Sequence, residues 1–370
     1  MKRARLSRAL QKLNLVDLVT IPIWQRAVKF PEGAFALVVN LEAGMSFDKF
    51  EKLLGDLQVA LKAQRVYAKR VEGNRLLLTV IMKRVVQFPS YPETDKSMLP
   101  LRVEQVRVGK DEMSRDVSLP LWTEEGGTVT LIGGNPGQGK SKAIQNIVLG
   151  VVPSSTAIFW IDPKGGVDAQ PFSERVTVFG SNSTPEEVLD FLTNVHQVIV
   201  ERNRLSGHGY DTSMLGNVLL IVDEWSALGY GASKELKTRI DSELRFIAQM
   251  GRSARVSLIL ATQRPTQTTI DVATRELSMN RVAFAVGDDH ASKAILGIAG
   301  AENKLEPLPR GTALVFINGE IQQVSFYRVP NDLSSRCEEV KGLKKEMHEL
   351  QRDLGIFARE HQISRYGNSA

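Results

Sequence analysis

A glycine-rich loop followed by a lysine and a serine is the clearest chemical signature in the sequence. Its spacing is the G-x-x-x-x-G-K-S of a P-loop. In such a loop, backbone N–H groups turn inward at a helix N-terminus and bind phosphate; the lysine reaches the β- and γ-phosphates, and the serine hydroxyl binds Mg²⁺. The pattern predicts a site for a nucleoside triphosphate such as ATP, formed by Gly134, Asn135, Pro136, Gly137, Gln138, Gly139, Lys140, Ser141 and Lys142.

The residues on both sides of this loop support that interpretation. The segment 128–132 is typical of a strand, and Ala143, Ile144, Ile147 and Val148 follow at helical spacing. The alternative is a glycine-rich turn with no ligand. The order strand, loop, helix favours a phosphate site over such a turn, because the mechanism needs that order.

A second apolar strand ends in two acids. The segment 217–222 leads directly into Asp223 and Glu224, and ligands of open α/β sheets bind where strands end. We expect Asp223 to hold the Mg²⁺ that Ser141 also contacts, and Glu224 to deprotonate the attacking water. Alone, an Asp-Glu pair could simply cap a helix. Beside a P-loop it indicates hydrolysis of the triphosphate.

A third apolar strand, 258–261, is followed by Thr262, Gln263, Arg264 and Pro265. The amide of Gln263 would lie at the same sheet edge, where it could sense the γ-phosphate or align water. The alternative is an ordinary turn before Pro265.

Charge that develops on the γ-phosphate calls for a further cation, often from a neighbouring subunit. Arg252 and Arg281 are the candidates, although either could be an ordinary surface or structural arginine.

The elements that must position these residues alternate between strand and helix from about residue 115. Continuous apolar strands are predicted at 157–161, 218–222, 256–261 and 282–286, as in a parallel sheet covered by helices. Asn318-Gly319 predicts a type I′ hairpin between 312–317 and 321–329.

The first hundred residues predict a separate small α/β unit. It contains a strand at 34–40, a helix capped by Ser46 with an apolar stripe through Leu61, and a hairpin of 66–71 with 75–82. Pro89, Pro92 and Pro100 indicate a linker. The predicted organisation is a basic arm at 1–30, this unit with its linker at 31–100, the nucleotide domain at 101–330 and an amphipathic tail at 331–370.

Composition narrows the class of protein. The 370 residues are 42% hydrophobic and 24% charged, contain one cysteine and include no apolar run of membrane-spanning length. A cytoplasmic protein without disulfides is expected. The formal net charge is +5, and the first twelve residues carry five cations and no acid. Such an arm can bind nucleic acid or anionic lipid, or can simply be solvated.

The tail carries apolar residues at alternating spacings of three and four, like a short heptad seam. Docking on its own domain or on a neighbouring subunit is expected rather than an independent coiled coil. The residues are Val340, Leu343, Met347, Leu350, Leu354 and Phe357.

Together these motifs resemble the FtsK/SpoIIIE family of DNA-translocating ATPases, including transfer proteins of actinobacterial conjugative elements. The most specific strings are Ile161-Asp162-Pro163-Lys164 and Leu258 to Pro265, and the resemblance covers roughly residues 100–330. It implies a RecA-like motor that forms a hexameric ring around double-stranded DNA and uses ATP and Mg²⁺. In that comparison Gln263 is the sensor, Arg252 best matches the arginine that acts in trans, and Arg281 is second.

The chain departs from the family pattern in its loop sequence, in lacking membrane spans, and in having only forty residues after position 330. Membrane attachment would therefore need a partner protein, and a DNA-reading module at the C-terminus is not expected. Two alternatives remain: an ATPase of the type VII protein-export kind, and an ATP-dependent assembly factor. The second does not explain Glu224, since a non-hydrolysing switch needs no water-activating acid.

Overall fold

The computed structural model describes residues 2–20, 28–29, 34–71, 73–82, 89–90, 102–180, 183–212, 215–228, 231–266, 269–270, 272–302, 308–330, 333 and 345–352. The chain divides into two units. The smaller comprises Met1–Gln87 with Lys110–Arg115, and the larger comprises Phe88–Gly109 with Asp116–Ala370.

The smaller unit is built on an antiparallel sheet. Its strands are β1 (Val19–Thr20), β2 (Val28–Lys29), β3 (Ala34–Leu41), β4 (Arg65–Arg70) and β5 (Arg75–Ile81). They lie in the order β1-β3-β5-β4, and β2 also pairs with β3. The predicted strand at 34–40 and the predicted hairpin are therefore confirmed.

Three helices accompany that sheet, α1 (Lys2–Lys12), α2 (Phe47–Lys52) and α3 (Leu54–Leu61). The Ser46 side chain accepts a hydrogen bond from the Lys49 N–H, as its capping role predicts. The single helix expected from the apolar stripe is broken at Leu53, whose N–H bonds to the carbonyl of Phe50 three residues back. This tighter turn ends α2, while Leu57 and Leu61 remain buried.

The first residues do not form the separate basic arm expected from their charge. They form α1, in which Leu6, Ala9 and Leu10 are buried in the core of the smaller unit. These three residues recur at helical spacing, so one face of the helix packs while Arg8 and Lys12 remain exposed on the other. The charge pattern concealed an amphipathic helix.

The larger unit contains a ten-stranded sheet in the order β12-β11-β13-β14-β10-β15-β16-β17-β6-β7. The run from β12 to β15 is parallel, and the pairs β15–β16 and β16–β17 are antiparallel. The bounds are β6 (Gln105–Asp111), β7 (Asp116–Pro120), β10 (Val129–Gly133), β11 (Ala157–Ile161), β12 (Thr177–Phe179), β13 (Val218–Val222), β14 (Val256–Thr262), β15 (Ser278–Phe284), β16 (Thr312–Ile317) and β17 (Glu320–Phe326); β8 (Trp122–Thr123) and β9 (Gly126–Gly127) form a separate ribbon.

The four predicted parallel strands are thus confirmed, although β15 begins four residues before the predicted segment and ends two residues earlier. The hairpin between β16 and β17 is also confirmed. Asn318 and Gly319 have φ values of 51° and 82°, as a type I′ turn requires.

Helices α4 (Lys140–Val151), α5 (Pro185–Gly207), α6 (Lys234–Met250), α7 (Val272–Leu277) and α8 (Asp289–Leu296) complete this unit. Neighbouring residues of one strand enter different cores. Ile221 packs in a core with residues of α4, whereas Leu220 packs in another with residues of α5 and α6. The continuous apolar strands in the sequence follow from this burial on both faces.

The tail is described only in part. Leu350 is buried with residues of α5 and α6, and Met347 packs against the same core, as docking on the chain's own domain predicts. Val340, Leu343, Leu354 and Phe357 lie outside the described residues, as do Pro92 and Pro100 of the expected linker. Among the described residues, no helix combines the length and apolarity needed to cross a membrane.

Candidate active site

The glycine-rich loop lies between β10 and α4 and is held against the end of β15. Gly134 has a φ of 153°, and a Cβ there would lie 2.6 Å from the Cβ of Phe284. The N–H of Asn135 donates to the carbonyl of Ala285 at 2.9 Å, and the carbonyl of Gln138 accepts from Gly311 at 2.8 Å. Contacts with neighbouring segments of the chain therefore stabilise the loop conformation.

The N-terminus of α4 provides a seat for an anion. Gly139 is the N-cap and supplies no side-chain acceptor, so the first N–H groups of the helix have no cap. Their partial positive charge favours phosphate. Pro136, Gly137 and Lys142 are exposed around this seat, and Lys142 Nζ bonds to Gln145 Oε1 at 2.9 Å.

Lys140 is the buried cation of the loop. Its Nζ donates to the carbonyl of Gly134 at 3.1 Å, and the residue is only 4% exposed. Burial lowers the pKa of Lys140 to about 8, although the carboxylates of Asp223 and Glu224 oppose that shift. Burial removes water from around the Lys140 ammonium. A bound phosphate would stabilise its positive charge in place of that water.

Ser141 and Asp223 provide oxygen donors suited to Mg²⁺. Asp223 follows β13 and is 3% exposed, and burial raises its pKa to about 6, with Asp162 adding to the shift and Lys164 opposing it. Within the described ranges no three His, Cys, Asp or Glu side chains form a metal-binding group. One hydroxyl and one carboxylate fit Mg²⁺ that takes its remaining ligands from phosphate and water.

Glu224 is the most constrained residue of the site. Its backbone is left-handed, with φ 59° and ψ 58°. Its carboxylate accepts hydrogen bonds from Lys164 Nζ at 2.7 Å and from the hydroxyls of Ser226 at 2.5 Å and Thr262 at 3.1 Å. Burial alone would raise the pKa of Glu224, but the bonds from Lys164, Ser226 and the Gln263 N–H outweigh it and hold the pKa below its usual value.

Gln263 lies beside Glu224, as predicted, but makes its contact through the backbone. Its N–H lies 3.1 Å and 3.2 Å from the two oxygens of the Glu224 carboxylate, and its side chain is half-buried. Arg264 is exposed. Any role for the Gln263 amide with phosphate or water stays a prediction.

Sequence reasoning assigned no role to Asp162 or Lys164, although both stand in a motif that it singled out. Asp162 follows β11 and is 2% exposed, and its carboxylate accepts the Lys164 N–H at 2.9 Å. Because β11 pairs with β13, its end meets the end that carries Glu224. The position of these polar residues directly after an apolar strand was the signal that could have found them.

Arg252 lies at the other end of the sheet. It precedes β14, its carbonyl accepts the Gly127 N–H, and its guanidinium pairs with Glu125. The seven residues of β14 separate it from the loop edge by roughly 20 Å of strand. The Arg252 side chain is half exposed. At that distance from the loop edge of its own chain, it could supply a cation only to the site of a neighbouring subunit.

Arg281 is engaged within its own chain. Its guanidinium donates to the carbonyls of Ser278 at 3.2 Å and Leu296 at 3.1 Å, and lies 4.5 Å from the ring centre of Phe316. In the part of the chain that the structure describes, neither arginine bonds to Lys140 or Glu224. The choice between them as the trans-acting residue stays a prediction.

Comparison with known proteins shows what this chain is similar to. No family model matches the chain. The chain is 26% identical over 319 residues to the DNA translocase FtsK of Staphylococcus aureus, a match that covers 76% of this chain and 38% of FtsK. The chain therefore spans well under half the length of this curated relative. The resemblance to FtsK/SpoIIIE-type proteins that the motifs indicate is confirmed by this similarity.

Two further matches extend this comparison. The type VII secretion system protein EssC of Staphylococcus aureus is 30% identical over 254 residues, which cover 63% of the chain and 16% of EssC. A solved structure of the pCW3 conjugation coupling protein TcpA, in a monomer form with ATPγS, matches with a TM-score of 0.63 and 17% identity. It covers 93% of this chain and 99% of TcpA. The expected RecA-like α/β fold of the larger unit is confirmed.

Proposed function

We propose that the chain is an ATPase that uses ATP hydrolysis to move double-stranded DNA. The observation that carries the proposal is the meeting of Lys140, Asp223 and Glu224 at one edge of the parallel sheet. Lys140 opens the helix after β10, and the two acids follow β13; both strands pair with β14 in register. An anion seat, a buried cation and two acids with different environments are the parts that phosphoryl transfer to water needs.

Each residue has a distinct task in this proposal. The N–H groups of α4 and Lys140 bind the phosphates, and Ser141 with Asp223 would hold Mg²⁺. A metal ion held there would supply positive charge that offsets the charge of the phosphates. Glu224 accepts a proton from the attacking water at a carboxylate oxygen. Gln263 aligns that water or senses the γ-phosphate, and Arg252 of a neighbouring subunit supplies a cation.

The DNA substrate and the ring are supported by relatives and by charge. FtsK is a DNA translocase and TcpA a conjugation coupling protein by their names, and the exposed face of α1 presents Arg8 and Lys12. We propose a hexameric ring that transfers plasmid or integrative-element DNA in the cytoplasm. A membrane protein would recruit it to the membrane.

A protein-export ATPase is the second candidate, and the 30% identity to EssC favours it. The two candidates differ in the polymer that stimulates turnover. Duplex DNA carries a dense phosphate charge, so its binding weakens steeply as salt displaces bound cations. A helical secreted peptide does not share that dependence.

The deciding experiment measures ATP turnover of the full chain with and without linear duplex DNA, at low and at high salt. Turnover that rises with DNA at low salt and loses that rise at high salt supports a DNA motor. Lys140→Ala is the control, because it lacks the phosphate-binding cation and should be inactive in both conditions. Turnover that ignores DNA at low salt contradicts the proposal.

A further inference from the structure

The carboxylate of Glu224 has few lone pairs left for a water molecule. One oxygen accepts hydrogen bonds from Ser226, Thr262 and the Gln263 N–H, and the other accepts from Lys164 and again from the Gln263 N–H. A general base must present an oxygen to the proton that it removes. In this arrangement the group best placed to activate water is occupied by its own neighbours.

Of these donors, Lys164 is the one that can leave most readily. Its side chain is 44% exposed, whereas that of Glu224 is 7% exposed. Thr262 and Gln263 stand at the end of a sheet strand, and Ser226 lies two residues from Glu224. The Lys164 amine instead reaches the carboxylate at 2.7 Å from a loop, on a flexible stem.

The segment that carries Lys164 is tied to the phosphate-binding helix as well as to Glu224. The carbonyl of Asp168, four residues on, accepts a hydrogen bond at 2.7 Å from Gln145 Nε2. Gln145 lies on α4, whose first residue is Lys140. Changes at the anion seat therefore have a short physical route to the Lys164–Glu224 pair.

The backbone at Glu224 is consistent with a residue held under constraint. A left-handed conformation at a non-glycine residue is unfavourable and persists only where surrounding contacts determine it. The bond from Lys164 is one of these contacts. Its removal would loosen the residue as well as uncover the oxygen.

We propose that Lys164 is a latch on Glu224. With no nucleotide bound, the ammonium holds the carboxylate away from water; when ATP binds, the terminal phosphate draws the ammonium to itself and releases the base. This inference rests on the proposed hydrolysis at the same site and makes Lys164 a positioning residue. The triphosphate competes well, because it carries more negative charge than one carboxylate.

The test compares steady-state ATP turnover of the full chain and its variants, with and without duplex DNA. Lys164→Met keeps the stem length but removes the charge. We expect its DNA-free kcat to rise about fivefold, the size of a modest coupling between sites, with KM for ATP within about twofold. The ratio of DNA-stimulated to DNA-free turnover should fall accordingly.

Three matched variants separate a latch from a general disturbance. Lys164→Arg keeps a cation near Glu224 and should restore turnover close to the wild-type value. Ser226→Ala removes a different restraint on the same carboxylate and should raise DNA-free kcat by a smaller factor. Lys237→Met changes an exposed lysine of α6 and should leave turnover unchanged.

The outcomes are distinct. A lower kcat or a KM raised tenfold in Lys164→Met would show that Lys164 promotes ATP binding or hydrolysis rather than restraining Glu224, and would overturn the latch. If that variant does not fold, unchanged or reduced turnover in Ser226→Ala overturns it. If the wild-type chain hydrolyses no ATP in any condition, both the proposed function and the latch are overturned. If the wild type is active but Lys164→Met shows no rise in DNA-free kcat, the latch is overturned and the proposed function stands.

Discussion

Gly134 packs against Phe284 with no space for a side chain between them. An added Cβ would lie 2.6 Å from the Phe284 Cβ and 3.3 Å from its Cα. The first residue of the phosphate loop is thus in contact with β15, the strand beside β10. Loop geometry depends on this contact as well as on the glycine spacing.

We therefore expect Gly134→Ala to weaken ATP binding at least tenfold, since the loop must move or β15 must shift. Gly137→Ala is the matched control. Gly137 also has a positive φ, of 76°, but nothing lies within 4 Å of its added Cβ. The loss of ATP-binding free energy in Gly137→Ala should be smaller, on the order of 1 kcal/mol. Titration calorimetry with ATP checks both, and equal losses would show that the Phe284 contact is unimportant.

Lys140→Met and Glu224→Gln should separate binding from chemistry. The first loses the buried cation and should lose measurable ATP affinity. The second cannot accept a proton and should retain ATP while turnover falls about 10²–10⁴-fold. Equilibrium binding and steady-state turnover measure the two effects. Glu235→Gln, an exposed acid on α6, should match the wild type, and full turnover in Glu224→Gln would remove Glu224 from the mechanism.

Substituting the two candidate arginines should destabilise the fold to different extents. Arg281→Ala removes two hydrogen bonds to carbonyls and the contact with Phe316, so the free energy of unfolding should fall by about 1–3 kcal/mol. Arg252→Ala breaks an exposed ion pair with Glu125 and should cost about 1 kcal/mol or less.

Turnover then decides which arginine acts between subunits. If Arg252 does so, Arg252→Ala is stable but inactive, and mixing it with Glu224→Gln, whose Arg252 is intact, restores part of the activity. Denaturant unfolding and turnover of the mixed subunits provide the measurements. Normal turnover of Arg252→Ala by itself would exclude Arg252 as the arginine that acts between subunits.

Alkaline pH should reveal the burial of Tyr67 in the smaller unit. Burial raises the pKa of this phenol to about 12, and the carboxylates of Glu112 and Asp111 add to the shift. The folded chain therefore holds the proton more tightly than the unfolded chain, whose tyrosine titrates near 10. The stabilisation is complete below pH 10 and is lost as pH rises toward 12.

Between pH 9 and pH 11 the wild type should lose about 1 kcal/mol more unfolding free energy than Tyr67→Phe, which has no phenol to ionise. Denaturant titrations of the full chain at both pH values measure the difference. Parallel losses in the two proteins would show that Tyr67 ionises freely in the folded state.

Much of the larger unit could be predicted because its strands are apolar throughout. A strand buried on both faces leaves a continuous signal, so β11, β13 and β14 were located within a residue of their bounds. The smaller unit was harder to predict from the sequence where charged and buried residues alternate. Five cations concealed the apolar side of α1, since only Leu6, Ala9 and Leu10 indicate the helix.

Local spacing determined the residue types of the site: a glycine-rich loop before Lys140 and two acids after an apolar strand. Each of these two motifs is contiguous in the chain, because successive residues form the phosphate loop and the two acids directly follow one strand, so the sequence alone carries each of them. Tertiary structure decided the rest. The contact of Lys164 with Glu224 joins residues sixty positions apart, and the engagement of Arg281 and the distance of Arg252 depend on strand order and register. These are properties of pairing between distant segments, which local spacing does not contain.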